Sequence, residues 1–335
     1  MVKNKQQYGA SNVLIRVYEK TLLTPDYFNR ILAAETFDET LEILNETDYA
    51  RYIREMENEN FEGMLTEALK ATYKQVFEIS PSPKLNEYIS LRYTYHNLKL
   101  MLKEQITGDQ LENLSIPITP FKHSTLDYAV SSGESSRLPE QYVESINEAR
   151  EEYEEYQNLY AIDVIMDRRY LTHLKKLAEE INDEGLLEYT KKVIDYRNII
   201  TLVRAMKQNR TRNFLNAVLS SSGSIPKNEI IDLGRGSFTE VIQYYRTTHL
   251  DQIVEEASDE NQENISTLRL EAVIDDEIML YMHEGKRTAD GPLPILAYVH
   301  AKEIEVKNLR IILYALGVDM EVDEIQGRMR LNYVT

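Results

Sequence analysis

Four times along this 335-residue chain an asparagine stands at the head of an apolar helical stripe: SNVLIRV at Asn12, HNLKLML at Asn97, RNIITLV at Asn198 and KNLRIIL at Asn308. The heads lie 85, 101 and 110 residues apart. Recurrence on that scale commits the chain to one supersecondary unit used repeatedly. Four heads delimit three units, read as 1–105, 106–213 and 214–335, the last ending in a terminal half-unit. The period far exceeds the roughly 34 to 45 residues of common helical solenoids, so each unit holds several helices and is large enough for a small core of its own. Such units can stack in a line or close around an axis.

The recurrence extends beyond the asparagines. A turn and a fresh helix start follow each stripe, as LLTPDYF at 22, ITGDQL at 106, SIPKNEI at 224 and GVDMEVDEI at 317. Thr24, Thr107 and Ser224 stand where an N-cap would satisfy the free amides of the next helix, with Pro25 at a favourable first-turn position. At one fixed offset of 201 residues, Phe37, Glu39, Leu41 and Thr47 match Phe238, Glu240, Ile242 and Thr248. Helices of similar character, KLNEYISLRYTYHN, LLEYTKKVIDYRN and LAYVHAKEIEVKN, precede the last three heads. The third carries about ten extra residues, EGKRTADGPLP near 284–294, whose composition predicts a surface loop. Polar stretches near 104–125 and 206–226 read as links, and SSGESSRLP at 131–139 as a break inside the second unit.

Between these landmarks apolar residues recur at steps of three and four, as in Tyr170, Leu171, Leu174, Leu177, Ala178 and Ile181. Only 12 glycines and 9 prolines interrupt them, and no stretch alternates with period two. The fold class is all-α.

Charge and composition exclude several functions. A net charge of −18 argues against a general nucleic-acid binder, which needs clustered Lys and Arg to displace counterions from phosphates, and disfavours docking on an anionic lipid surface. The absence of cysteine rules out thiolate metal sites and thiol nucleophiles and suits a cytoplasmic location. The N-terminal MVKNKQQYGASN has no apolar signal core. The longest apolar run, Ile311 to Val318, contains Gly317 and ends at Asp319, far short of the ~20 residues that span a bilayer.

Few residues suggest chemistry. The head asparagines read as structural, each bonding the backbone of a neighbouring helix. Asp163 and Asp167 share a helical face at a spacing that metal-ligating carboxylates use, but Arg168 and Arg169 adjoin them, so an ion-paired face is the simpler reading. The run Asp275 to Glu277 is similar. Six histidines show no ligand spacing, and the glycine pair Gly234 and Gly236 lacks the rest of a nucleotide loop. No catalytic, cofactor or metal site is therefore expected. One basic cluster stands out, Arg204, Lys207, Arg210 and Arg212. It reads either as a favourable helix C-terminus with solvation or as the contact for an acidic protein partner. The 23 tyrosines suit half-buried helix packing and interfaces alike.

Three copies of a roughly hundred-residue helical unit, with IDVIMDRRYLTHL at 162, VIDYRNIITLVR at 193 and AKEIEVKNLRIIL at 301, resemble the C (also called d) subunit of bacterial and archaeal V-type or A-type rotary ATPases. The resemblance spans nearly the whole chain. It implies three similar helical domains arranged as a pseudo-three-fold funnel on the cytoplasmic face of the membrane rotor ring, attached peripherally through that ring. It implies as partners the central shaft subunits of D and F type and the ring of proteolipid subunits. The implied role is non-catalytic: coupling shaft rotation to the ring so that ATP hydrolysis drives H+ or Na+ transport. A general helical-repeat scaffold binding a peptide or protein along a groove is the alternative, and an acid-base or metal enzyme built on Asp163, Asp167 and the 275–277 run a third.

Overall fold

The helical periodicity predicts an all-α chain, and the computed structural model is all-α. It describes residues 7–56, 60–318 and 320–334, so Asp319 and the first six residues of the polar N-terminal stretch fall outside it. The described residues form seventeen α-helices and no named strand, with one isolated bridge between Ser258 and Ile265. No helix among the described residues is long and apolar enough to cross a membrane.

By packing, the chain divides into two units, one formed by residues up to Pro83 together with those from Ile274 onward, the other by Lys84–Val273. In chain order the first contains α1 (Gly9–Tyr18), α2 (Pro25–Leu32), α3 (Phe37–Leu44), α4 (Ala50–Arg54) and α5 (Phe61–Ile79). The second contains α6 (Pro83–Thr107), α7 (His123–Ser132), α8 (Glu140–Tyr156), α9 (Leu159–Ile181), α10 (Glu184–Lys207), α11 (Arg212–Val218), α12 (Lys227–Leu233), α13 (Phe238–Tyr245) and α14 (Asp251–Ala257). The helix α15 (Thr267–His283) runs across the boundary, and α16 (Leu293–Leu316) and α17 (Val322–Arg328) return to the first unit.

In the first unit α16 packs against both α1 and α5. Its residues Ile295, Leu296, Val299, Ile304, Leu309, Ile312 and Leu313 are all buried, as expected of a helix that is apolar on every side. In the second unit α9 packs on α8, α10 and α11. Its buried stripe, Ile162, Ile165, Met166, Leu174, Leu177 and Ala178, repeats at three and four residues.

The segments related by the 201-residue offset have the same local geometry. Thr36 caps α3 through the Glu39 amide (3.2 Å), and Ser237 caps α13 through the Glu240 amide (3.3 Å) with a full capping box. Beyond each helix a threonine hydroxyl turns back on its end: Thr47 donates to the Leu44 carbonyl and Thr248 to that of Tyr245, both at 2.7 Å. The same hydroxyls accept from the amides of Tyr49 and Leu250.

The expected N-caps after the stripes fare less well. Thr24 holds the N-cap position before Pro25 but makes no capping bond with its side chain. Thr107 ends α6 instead of starting a helix, its hydroxyl bonded to the Lys103 carbonyl at 3.0 Å. Ser224 lies two residues before the true N-cap, Pro226, and its amide is bound by Asp195. A buried carboxylate is a stronger acceptor than solvent, so it captures the residue that sequence assigns to the helix end. The 284–294 insertion is also less loop-like than its composition predicts. Gly285, Gly291 and Pro292 are buried, and α1 holds its carbonyls.

Candidate functional site

Three of the four head asparagines make one repeated contact. Asn97, Asn198 and Asn308 are buried on α6, α10 and α16. Each donates its Nδ2 to one backbone carbonyl and accepts with its Oδ1 from the amide of the same residue. For Asn97 that residue is Ile116 (2.7 and 3.0 Å), for Asn198 it is Ser220 (2.9 and 3.0 Å), and for Asn308 it is Arg330 (2.9 and 2.8 Å). A carboxamide carries one acceptor and a donor side by side, which matches the two polar groups of a single extended residue. The expectation placed the partner on a neighbouring helix, yet in all three cases it is non-helical chain 19 or 22 residues downstream. The reason is that the groups inside a helix are already paired, and only irregular chain offers both at once. Asn12 differs. It donates to the carbonyls of Ala289 (2.9 Å) and Gly291 (3.1 Å), and its Oδ1 has no partner.

One helical turn before each of these three asparagines sits a second polar residue that holds a proline-containing turn. Thr94 bonds Thr119, which precedes Pro120 (2.9 Å). Asp195 accepts from the amides of Ser224 (3.0 Å) and Ile225 (3.2 Å), ahead of Pro226. Gly223 permits this approach, since a Cβ there would collide with the Asp195 carboxylate. Glu305 accepts from the amide of Leu23 (2.6 Å), ahead of Pro25, and from the Tyr49 hydroxyl (2.8 Å), and pairs with buried Lys302. Thr94 and Asp195 reach 25 and 29 residues forward, whereas Glu305 reaches back 282. Within the first unit, therefore, the last long helix holds a turn near the start of the chain. Burial, with the Glu305 carboxylate beside it, drives the Tyr49 hydroxyl well above its ordinary pKa, so it donates throughout the accessible pH range.

The basic cluster of Arg204, Lys207, Arg210 and Arg212 does not converge. Arg204 pairs with Glu271 (2.6 Å) and Arg212 with Asp232 (3.2 Å), while Lys207 lies over the Phe238 ring (5.9 Å) and Arg210 over that of Phe214 (5.2 Å). Of the four, Arg204 lines a cavity of about 280 Å³ in the second unit. Its walls carry Arg92, His96 and Lys99 from α6 and Arg197, Thr201 and Arg204 from α10, with Tyr95 and Tyr170 also lining it. Both rows step at i, i+4 and i+7, so each presents its polar ends on one helix face. Sequence reasoning missed this site because its two rows lie about a hundred residues apart, and each alone resembles a solvated face.

The other candidates resolve into structural contacts. Asp163 and Asp167 are each paired with a lysine of α6, Lys103 and Lys99 respectively, both at 2.7 Å. Asp275 binds Lys307 and Arg330, and Asp276 accepts from the Leu331 amide (2.8 Å), so this acidic run anchors the C-terminal segment. Burial raises the Asp275 carboxyl, and the two cations more than offset that, holding it below its usual range. No group of three His, Asp or Glu among the described residues could hold a metal ion. His173 is buried beside Tyr95 and Tyr142, and desolvation pushes its pKa down to about 4.

Comparison with known proteins finds relatives along almost the whole chain. The family described as ATP synthase (C/AC39) subunit matches residues 11–328. The C subunit of the V-type sodium ATPase of Enterococcus hirae is 34% identical over 327 residues, covering 98% of this chain and 99% of the relative. The C subunits of the A-type ATP synthases of Methanocaldococcus jannaschii and Desulfurococcus sp. are 21% and 25% identical, over 98% and 96% of this chain and 87% and 91% of their own.

Proposed function

The chain belongs to the ATP synthase (C/AC39) subunit family, and from that premise we propose that it is the non-catalytic part linking the central shaft of a rotary ATPase to its membrane ring. The observation that carries the reading is the match to the C subunit of a V-type sodium ATPase over essentially the full length of both chains. In this role three repeat units, 1–105, 106–213 and 214–335, form a pseudo-three-fold funnel. It receives the D- and F-type shaft subunits and sits peripherally on the cytoplasmic face of the proteolipid ring. Rotation driven by ATP hydrolysis then reaches the ring and moves H+ or Na+, with Na+ the first ion to test because the 34%-identical relative is part of a sodium ATPase.

A torque-bearing connector needs to resist shear between its helices, and the paired contacts support this. Each of the three long helices fixes two irregular segments from buried positions, five of the six contacts being made to backbone groups, and these cannot slide without leaving polar groups unpaired. Within the first unit the reach of Glu305 back to Leu23 ties the last long helix to a turn near the start of the chain, which adds to that resistance.

The test is ATP-driven ion uptake into inverted membrane vesicles from cells lacking the chain. Uptake is lost while soluble ATP hydrolysis persists, and supplying the chain restores uptake. Undiminished uptake in its absence would refute the proposal.

A further inference from the structure

The first helix leaves open a face that the other head helices cover. On α1 the side chains of Ala10, Val13, Leu14 and Val17 are all exposed, Val13 at 66% and Val17 at 53%. They step at i, i+3, i+4 and i+7, so they form one apolar stripe along a single side, while Asn12 and Ile15 are buried on the other. Val13 and Val17 stand one and five residues after the head asparagine. At the other three heads those positions are Leu98 and Leu102, Ile199 and Val203, and Leu309 and Leu313, none more than 2% exposed. The repeat thus places apolar side chains where packing covers them three times, and on α1 no described residue does so. Single exposed apolar residues are ordinary, but four in register on one helix face form a docking surface.

Shape and charge specify the occupant. The stripe is a ridge about 10 Å long, which fits between the ridges of a second helix carrying a matching stripe. Its surroundings are basic within a chain of net charge −18. From Met1 to Lys20 the sequence holds Lys3, Lys5, Arg16 and Lys20 against one carboxylate, Glu19. Glu19 turns onto Arg16 (2.7 Å) and the Tyr333 hydroxyl (2.7 Å). Lys20, three residues beyond Val17, is exposed and has no carboxylate partner among the described residues. The turn that accepts from Arg16 at its Thr288 carbonyl adds Lys286 and Arg287, against Glu284 and Asp290. Two copies of α1 face to face would bring like charges together, and the stripe is far smaller than the roughly 20–30 residues a side of a stable dimer interface. An acidic edge on a different helix complements it.

We propose that the outward face of α1 docks a helix of another subunit, one whose apolar stripe is edged by acidic side chains. The docking is independent of whether the assembly performs the coupling role.

The chain has no cysteine, so Val13→Cys and Val17→Cys, each close to valine in size, supply single thiols for maleimide labelling. In the free chain both should label as fast as Tyr128→Cys, another exposed position. In the assembly purified with the full chain from membranes of its own host, both should slow at least tenfold. Lys20→Glu should speed Val17→Cys labelling there at least threefold. A benzophenone maleimide on Val17→Cys should cross-link to a helix of another subunit with carboxylates beside its apolar stripe. Mass spectrometry of the same preparation reports whether ring and shaft are present, so the coupling role is judged separately. Slow labelling in the free chain, labelling unchanged on assembly, no effect of Lys20→Glu, or cross-links to a second copy, to lipid or within the chain would overturn the proposal.

Discussion

Replacing Asn198 by alanine removes both bonds to Ser220, the donor at 2.9 Å and the acceptor at 3.0 Å, without touching an apolar contact. Ser220 is only 1% exposed, so its amide and carbonyl cannot turn to water unless the segment opens. Each buried polar group left unpaired costs about 1–3 kcal/mol, and since the two share one residue the total is about 2–4 kcal/mol. At one decade per ~1.4 kcal/mol, the Ser220 amide should exchange with deuterium about thirty to several hundred times faster. Hydrogen exchange read by mass spectrometry on peptides spanning 211–225 measures this directly. Asn198→Asp should do at least as much damage. It keeps the acceptor but turns a carboxylate oxygen toward the Ser220 carbonyl, and adds charge one turn from Asp195, already buried. Asn216→Ala, an exposed position nearby, serves as the control and should stay within about 0.5 kcal/mol of the parent. Exchange at Ser220 within threefold of the parent in Asn198→Ala would refute the reasoning.

Glu305→Leu leaves Lys302 buried without its partner and the Leu23 amide unpaired, so urea melts should show a loss of about 3–5 kcal/mol. Adding Lys302→Met should recover most of it, and a single-variant loss below about 1 kcal/mol would contradict the reading. Because His173 titrates near 4 when folded and near 6.5 when unfolded, the unfolded chain takes up its proton first. Stability should therefore fall as pH drops from about 6.5 to about 4, by on the order of 3 kcal/mol. Nearby Glu87, raised by burial, partly opposes this; His173→Gln should flatten that acid limb in melts across pH. Asp275→Asn weakens the hold on Lys307 and Arg330, so limited proteolysis should release the segment after Leu316 faster than in the parent.

Much of the fold was legible because its signals are local. The three- and four-residue periodicity determines helices whatever packs on them, and the TFDET and SFTEV starts carry their own caps. The asparagine heads were visible because one residue type recurs before one pattern. Their companions Thr94, Asp195 and Glu305 were not, since three different side chains perform related bonds and share no letter. Ser224 and Thr107 misled as caps because capping is decided by competition: Asp195 binds the first, and the second bonds back to Lys103. The basic cavity lay beyond sequence for a topological reason, its walls being a hundred residues apart. The Arg204 to Arg212 cluster looked like a site because proximity along a chain is not convergence in space, and its four side chains go to four different partners.

The coupling role stands or falls on what the chain holds on to in the cell. An affinity-tagged copy expressed in its own host, purified from gently solubilised membranes and resolved by mass spectrometry, should bring down the proteolipid ring and the D- and F-type shaft subunits together. Recovery of soluble partners alone, with neither ring nor shaft, would contradict it.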